Sequence, residues 1–275
     1  MPELKHGTTT DATYKQLIHY FKYASSAYNL ICPRPNGQTL VLPFSNVMTD
    51  IQGFVARDSW RKEIVVALRG SASIVDFLLD SQIVLVPLVT LGVSAPSGTR
   101  VHNGFLIAWD SVVVQVLAIV SQQLKAFPGF SIVTTGHSLG GALATLAAVT
   151  LKHNFPATAV RTYSYGAPRV GNKMFAEHVN AEFGPRAFRV VHTTDGVPTI
   201  IPTSLGYHHH GIEYWLSSDP PSKDTTLTCS ANGEDPSCSA SIPSRGITPA
   251  HVTYFGIPGV DAILCISDDA TGGHS

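Results

Sequence analysis

Residues 130–141 read FSIVTTGHSLGG, an apolar run that leads into a serine flanked by glycines. The apolar half has the composition of a buried strand, and the alanine- and leucine-rich segment up to residue 153 predicts a helix directly after it. Ser138 lies in the turn between them as Gly-x-Ser-x-Gly, a pattern typical of a nucleophile held above the end of a strand. The alternative is a serine that only caps the helix.

The rest of the chain continues this alternation of apolar strands and helices. We predict strands at residues 63–69, 160–165 and 188–192, and helices at residues 11–28 and 105–127. The alternation predicts an α/β fold with a mostly parallel central sheet flanked by helices. Because no repeat or linker divides the chain, we expect one domain over residues 1–275, with the polar segment 217–245 as a surface excursion.

The composition excludes several classes of protein. Apolar residues make up 44% of the chain and charged residues 13%, against about 25% charged in an average domain, so the chain is not disordered. The net charge of −1 disfavours nucleic-acid binding. The most apolar segment, residues 83–93, contains Pro87 and Gly92 and is shorter than the roughly 18 residues of a membrane span. The first ten residues lack the apolar core of a signal peptide.

The four cysteines allow three disulfide connectivities. We favour Cys32–Cys265, which ties the two ends of the chain together, and Cys229–Cys238, which closes a short loop rich in turn-forming residues. The alternative is four free thiols in a cytosolic protein. No Cys-x-x-Cys pair and no clustered Cys/His spacing is present, so we expect no metal site and no cofactor.

A serine nucleophile needs a base and a carboxylate that orients the base. Asp195 follows the predicted strand at 188–192, at the carboxyl end where open α/β sheets place their sites, although an ordinary Asp-Gly turn is an alternative. The candidate bases are the histidines downstream of it: His208, His209, His210 and His251. The adjacent three cannot all face one metal ion on a strand, because alternate side chains point to opposite faces. Composition does not choose among the four, and spacing favours His251.

Seven motifs, in order along the chain, resemble those of one known family. They are VALRGS at 66–71, VHNGF at 101–105, GHSLGG at 136–141, YGAPRVGN at 165–172, HTTDGVP at 192–198, YHH at 207–209 with EYW at 213–215, and HVTYFG at 251–256. The chain is similar to the fungal class 3 lipases, which include triacylglycerol lipases and feruloyl esterases. The resemblance implies the α/β-hydrolase fold and a catalytic triad of Ser138, Asp195 and His251. It also implies that His209 is non-catalytic.

The resemblance further implies an oxyanion hole, a lid and the pairing of the cysteines. The oxyanion donors would be the backbone N–H of Leu139 and the residue Ser71. A short lid helix would cover the site at residues 73–80, where Ile74, Phe77 and Leu78 share one face at helical spacing; the alternative is a plain core helix. The family's end-to-end disulfide falls on Cys32–Cys265, and Cys229–Cys238 is closer to a short bridge of the feruloyl esterase branch.

The segment 83–93 bears on the substrate, because no charged residue occurs between residues 81 and 99. Such a segment, if partly exposed, would be an apolar patch suited to a lipid surface. We therefore expect a secreted serine esterase, in mature form, that acts on triacylglycerols and also bulky esters such as steryl esters, with lid opening at the lipid–water interface. The alternatives are a feruloyl esterase, a soluble carboxylesterase, and a non-catalytic lipid-binding homologue. We expect no obligate protein partner, and a monomer or weak oligomer.

Overall fold

The computed structural model describes residues 7–70, 83–243, 246–259 and 261–265. Ser71 and the proposed lid residues Ile74, Phe77 and Leu78 lie outside these ranges. The α-helices within them are α1 (Asp11–Ser26), α2 (Asn103–Asp110), α3 (Val113–Ala126), α4 (Leu139–Asn154) and α5 (Lys173–Phe183). Short 3-10 helices lie at Pro35–Gly37, Gly184–Arg186, Val197–Thr199, Thr203–Leu205, Lys223–Thr225, Ser239–Ser241, Pro249–Val252 and Ala262–Cys265.

The strands of the described residues form three sheets. They are β1 (Gly7–Thr8), β2 (Thr39–Asn46), β3 (Ile51–Asp58), β4 (Glu63–Leu68), β5 (Leu85–Pro87), β6 (Arg100–His102), β7 (Ser131–His137), β8 (Val160–Tyr165), β9 (Gly171–Asn172), β10 (Ala187–His192), β11 (Tyr207–His208), β12 (Glu213–Leu216), β13 (Thr226–Thr228), β14 (Thr253–Tyr254) and β15 (Ile257–Pro258).

The main sheet has nine strands in the order β1-β13-β12-β10-β8-β7-β4-β3-β2. Its five central strands, β12, β10, β8, β7 and β4, are parallel, and the outer strands pair antiparallel at both edges. This arrangement confirms the predicted mostly parallel sheet. Because parallel strands end at the same edge, the loops that follow β4, β7, β8 and β10 come together there.

Both faces of the main sheet are covered, which explains its continuously apolar strands. All six residues of β4 are buried. Ile64, Val66 and Leu68 pack into a core with α2–α5, whereas Val65 and Ala67 point to the opposite core, beneath α1. Alternate side chains of one strand thus supply two cores, as the two-residue period of a strand requires.

Two predictions of local structure were wrong. The single helix expected over 105–127 is two helices, α2 and α3, bent by 52° to each other. The pair together has the length and apolar character of a membrane span, and no single described helix has both. The segment 217–245, expected as a surface excursion, instead adds β13 to the main sheet, where it lies between β12 and β1. Its mixed Thr-Leu-Thr sequence carried too weak a strand signal.

The apolar segment 83–93 is partly buried and partly exposed. Its β5 pairs with β6 in a separate antiparallel four-stranded sheet, ordered β11-β9-β6-β5. Leu88 is buried, and Leu85 packs against the larger core. Val84, Val89 and Leu91 are exposed, and Val89 leaves 74% of its surface accessible. The exposed positions form the apolar surface on which the expectation of a lipid contact depends.

Both predicted disulfides are present, Cys32–Cys265 and Cys229–Cys238, with sequence separations of 233 and 9. A disulfide restricts the unfolded chain more when it closes a longer loop. We expect Cys32→Ser/Cys265→Ser to lower the free energy of unfolding by about 5 kcal/mol, and Cys229→Ser/Cys238→Ser by about 3 kcal/mol. Denaturant unfolding of the two double variants measures this. A larger loss for the short loop would contradict the entropic argument.

Buried histidines make the fold sensitive to acid. Burial lowers the pKa of several imidazoles below the ordinary 6.5, namely His102 to about 4, His137 to about 3, His210 to about 4, and also His178 and His209. Below pH 6.5 these histidines are protonated in the unfolded chain, whereas in the native chain they stay neutral. The stability is therefore complete above pH 6.5 and falls as the pH drops toward 3–4. Urea unfolding at pH 7.5 and pH 5 measures the loss; equal stability at both values would contradict it.

Candidate active site

Ser138 occupies a strained turn between β7 and α4. Its backbone has φ 58° and ψ −129°, a conformation that a residue with a side chain rarely adopts. The Ser138 N–H donates to the carbonyl of Tyr165 at the end of β8, at 2.8 Å. The turn therefore places Ser138 at the edge of the sheet, directly above the ends of two parallel strands.

Neighbouring glycines make this turn possible. A Cβ atom on Gly136 would lie 2.1 Å from the carbonyl oxygen of Gly140. A Cβ atom on Gly140 would lie 2.2 Å from the carbonyl oxygen of Leu68, at the end of β4. Both distances are impossible for real atoms, so only glycine lets α4 start this close to the sheet. The two glycines of the Gly-x-Ser-x-Gly pattern thus have a packing reason.

Asp195 and His251 form a buried pair. The Nδ1 atom of His251 lies 3.0 and 2.9 Å from the two carboxylate oxygens of Asp195. Asp195 follows the end of β10, and its Oδ1 also accepts a hydrogen bond from the Val197 N–H at 3.0 Å. His251 lies in the 3-10 helix Pro249–Val252. Because a carboxylate only accepts, the Nδ1 carries the proton and the Nε2 lone pair is left for a second partner.

The pair lies against the Ser138 turn. The His251 ring packs on the ring of His137, with centroids 4.5 Å apart. A Cβ atom on Gly166 would lie 2.6 Å from Asp195 Oδ2 and 3.0 Å from His251 Nδ1, and Gly166 is the residue after Tyr165. The three predicted triad residues are thus brought to one sheet edge from the ends of β7 and β10 and from the segment before β14.

The Ser138 hydroxyl makes no hydrogen bond with any described residue, including His251. It is also buried, with 2% of the residue accessible. Hydrogen bonds of this kind are commonly long or absent without substrate and form when substrate orders the site.

Two further histidines hold the backbone that carries His251. His137 Nε2 donates to the carbonyl of His251 at 2.7 Å, and His192 Nδ1 donates to the carbonyl of Ala250 at 3.0 Å. The Tyr28 hydroxyl donates to the other nitrogen of His137 at 2.8 Å. Burial, with His251 nearby, lowers the pKa of His137 to about 3, so it stays neutral and keeps this donor–acceptor pattern. The carbonyl contacts fix the position of the His251 segment.

Tyr254 completes the surroundings of Asp195, because its hydroxyl donates to Asp195 Oδ2 at 2.6 Å. We expect Tyr254→Phe to lower kcat for an ester by about tenfold with little change in KM, since a hydrogen bond to a charged group is lost. Steady-state kinetics on a soluble ester measures it. The matched control is Tyr14→Phe, whose hydroxyl donates to the Pro221 carbonyl at 2.8 Å. Equal kcat in both variants would contradict a role for Tyr254.

The side chains of the three adjacent histidines, residues 208–210, contact backbone carbonyls and not the catalytic candidates. His208 pairs with the carbonyl of Asn232 at 3.0 Å, His209 with that of Pro198 at 2.7 Å and His210 with that of Gly211 at 2.8 Å. None of these contacts reaches Ser138 or Asp195 in the described part of the chain. Among the four candidate bases, His251 is therefore the one that contacts Asp195.

Sequence reasoning missed the supporting residues of the site. His137, Gly166 and Tyr254 stand inside motifs that we quoted, but no spacing rule assigns them a contact. His192, the first residue of the quoted motif at 192–198, is another such residue, and Tyr28 follows the end of α1 without any local signal. Their roles depend on contacts between segments far apart in the chain, which only the fold reveals.

Known proteins similar to this chain are lipases. The family model described as "Lipase (class 3)" matches residues 65–205, about half of the chain. A "secreted mono- and diacylglycerol lipase 1" of Fusarium solani is 41% identical over 215 residues, which are 75% of this chain. The chain spans only 60% of that relative's length.

Solved structures share the fold over almost the whole chain. A triacylglycerol lipase from Penicillium expansum superimposes with a TM-score of 0.85 and 29% identity, over 94% of this chain and 99% of that one. A structure titled as a serine protease triad forming the catalytic centre of a triacylglycerol lipase gives a TM-score of 0.82 and 30% identity, over 95% and 99% of the two chains.

Proposed function

The chain belongs to the class 3 lipase family and has the α/β-hydrolase fold, and on that premise we propose that it is a secreted serine esterase that hydrolyses acylglycerols. The observation that carries the proposal is the His251–Asp195 pair packed against the strained Ser138 turn. The lipase names of the relative and of the solved structures support the same reaction class.

In the proposed mechanism Ser138 Oγ attacks the ester carbonyl while His251 Nε2 takes its proton. Asp195 keeps the proton on Nδ1 and stabilises the imidazolium that forms. The imidazolium then protonates the departing alcohol, which leaves an acyl group on Ser138. Water, deprotonated by the same histidine, attacks this acyl-enzyme and releases the fatty acid. No cofactor is needed in this sequence.

The oxyanion of each tetrahedral intermediate would be held by the Leu139 N–H and by Ser71. Leu139 is the first residue of α4, so its N–H has no partner within the helix and points out of its positive end. Such a donor typically contributes about 10²–10³ in rate. Ser71 lies outside the described residues, so its part in the oxyanion hole stays a prediction.

We propose that access to Ser138 depends on a lid at residues 73–80, bearing Ile74, Phe77 and Leu78. The buried position of Ser138 supports this, because some covering segment must move before an acyl chain enters. The exposed apolar residues Val84, Val89 and Leu91 follow the lid in the chain and would meet the lipid when it opens. The lipid–water interface is then the partner that we propose for catalysis.

The substrate class is tested by comparing turnover on five esters. These are emulsions of long-chain tri-, di- and monoacylglycerol, a short soluble ester, and methyl ferulate. We expect acylglycerols to be hydrolysed best, with rates that rise when the substrate passes from dispersed to aggregated form. Methyl ferulate as the preferred substrate would favour the feruloyl esterase alternative instead. A steryl ester can be added as a sixth substrate to test esters with a bulkier leaving alcohol.

We further propose that residues 1–275 act as one domain, outside the cell. The main sheet draws strands from β1 through β13, and Cys32–Cys265 joins segments near both ends, which supports one folding unit. The disulfides and the "secreted" name of the Fusarium relative support an extracellular location.

A further inference from the structure

Three side chains able to bind a metal ion meet far from Ser138. His153 lies in the last turn of α4, and His178 and Glu182 lie one turn apart on α5. One ligand atom from each residue lies within 4.8 Å of the others. Since an α-helix rises 1.5 Å per residue, His153 is about 20 Å from Ser138 along α4. The cluster is therefore separate from the ester-cleaving site.

The cluster has unused binding capacity. The Nε2 atoms of His153 and His178 are both buried, and neither has a hydrogen-bond partner among the described residues. His178 is 7% exposed. The Glu182 carboxylate likewise makes no ion pair or hydrogen bond within the described ranges, where only its backbone carbonyl is used, by Arg186. Buried imidazole nitrogens normally find a partner, so this cluster lacks one that an ion can supply.

Local electrostatics favour a cation at this point. Two of the three side chains are imidazoles, which bind metal ions through a neutral ring nitrogen, and the third is a carboxylate. His153 and Glu182 both lie in the last turns of their helices. The carbonyls of a last helical turn carry partial negative charge, which adds to the charge of the Glu182 carboxylate. At the end of α5 the Arg186 guanidinium donates to the Glu182 and Phe183 carbonyls.

We propose that His153, His178 and Glu182 form a zinc-binding site that joins the C-terminal ends of α4 and α5. Two imidazoles and one carboxylate, with a fourth position open to water, suit Zn²⁺, whereas Mg²⁺ and Ca²⁺ prefer oxygen ligands alone. This departs from the sequence-based expectation of no metal, since His153 and His178 are too far apart in the chain to show a ligand spacing.

Only small side-chain movements separate the present geometry from a bound one. Zinc–nitrogen bonds are about 2.0–2.1 Å long, so the three ligand atoms must draw closer by rotation of their side chains. The Ser94 N–H contacts His153 Nδ1 at 3.4 Å. Binding through Nε2 moves the imidazole proton to Nδ1, so the Ser94 N–H loses this long contact.

Bound zinc would join α4 and α5. The neighbouring loop is held to the end of α4 independently of the ion, because Asn154 Nδ2 donates to the Leu91 carbonyl at 2.9 Å. A ligand that binds only the native chain stabilises it. The effect of zinc is therefore on unfolding and not on the distant ester chemistry.

The test is zinc binding by isothermal titration calorimetry, with excess Mg²⁺ present, together with thermal unfolding. We expect one equivalent of Zn²⁺ per chain and a Tm raised by about 5–10 °C when free zinc is about a hundred times its Kd. Glu182→Gln should weaken binding at least tenfold and remove most of the Tm shift. Its matched control is Glu177→Gln on the same helix, whose carboxylate pairs with Lys173 at 3.8 Å.

The control should keep both the affinity and the shift. His178→Ala, judged by the same calorimetry on folded protein, should also abolish binding of the single equivalent. The proposal is overturned if the wild-type chain binds no zinc up to 1 mM, or if Glu182→Gln and Glu177→Gln bind it equally. Zinc retained by His178→Ala would place the ion elsewhere and overturns it too.

Discussion

Replacing Ser138 with alanine is expected to reduce ester turnover by about 10⁴–10⁶-fold while the fold stays intact. The hydroxyl is the only group at the turn that can form the acyl-enzyme, and without it His251 has no oxygen to activate. The remaining rate would come from the oxyanion donors and from binding alone. Turnover is measured on a soluble ester and on an acylglycerol emulsion.

The matched control for this variant is Ser164→Ala. Ser164 is also buried on the neighbouring strand, and its hydroxyl likewise lacks a hydrogen-bond partner in the described part of the chain. We expect its rate to stay near wild type, and an organophosphonate to label wild type and Ser164→Ala but not Ser138→Ala. Substantial ester turnover by folded Ser138→Ala would contradict the serine mechanism.

Asp195→Asn is expected to lower kcat by about 10⁴-fold. In the wild-type chain His251 Nδ1 donates to the Asp195 carboxylate. The amide introduced by Asp195→Asn can present an N–H to Nδ1 instead. The imidazole proton then stays on Nε2, which can no longer take the proton of Ser138. The loss of negative charge also removes the partner of the imidazolium. Steady-state kinetics at several pH values measures the effect, since the tautomer and the charge act on kcat.

Asp58→Asn is a control of the same kind. Asp58 is buried and lies 3.7 Å from the ring of His19, so it is another aspartate beside a histidine, far along the sheet from Ser138. We expect Asp58→Asn to reduce stability with kcat nearly unchanged. If the two asparagine variants lost similar amounts of kcat, Asp195 would have no special role at the site.

The core of the fold could be predicted from the sequence because its signals are local. The sequence of β7 and α4 predicts a strand, a tight turn and a helix within 25 positions, and the structure has them in that order. The break between α2 and α3 could not be predicted in the same way. It falls at Ser111 and Val112, where neither proline nor glycine interrupts the apolar pattern.

The candidate site was predictable in its residue types but not in its pairing. Composition left four histidines for one role, because the partner of Asp195 is 56 residues away and only the folded chain brings His251 to it. The zinc cluster shows the same limit, since its three residues come from two helices. Both sites are formed by residues from distant segments of the chain, and contacts between such segments leave no local pattern in the sequence.

The unusual backbone at Ser138 has a consequence for attempts to improve this enzyme. A residue without a side chain would adopt that conformation at no cost, so selection for heat resistance alone would pull the position toward glycine and extinguish catalysis. Stabilising libraries should therefore be screened for turnover in every round. At this one residue, greater thermal stability and ester hydrolysis call for different amino acids.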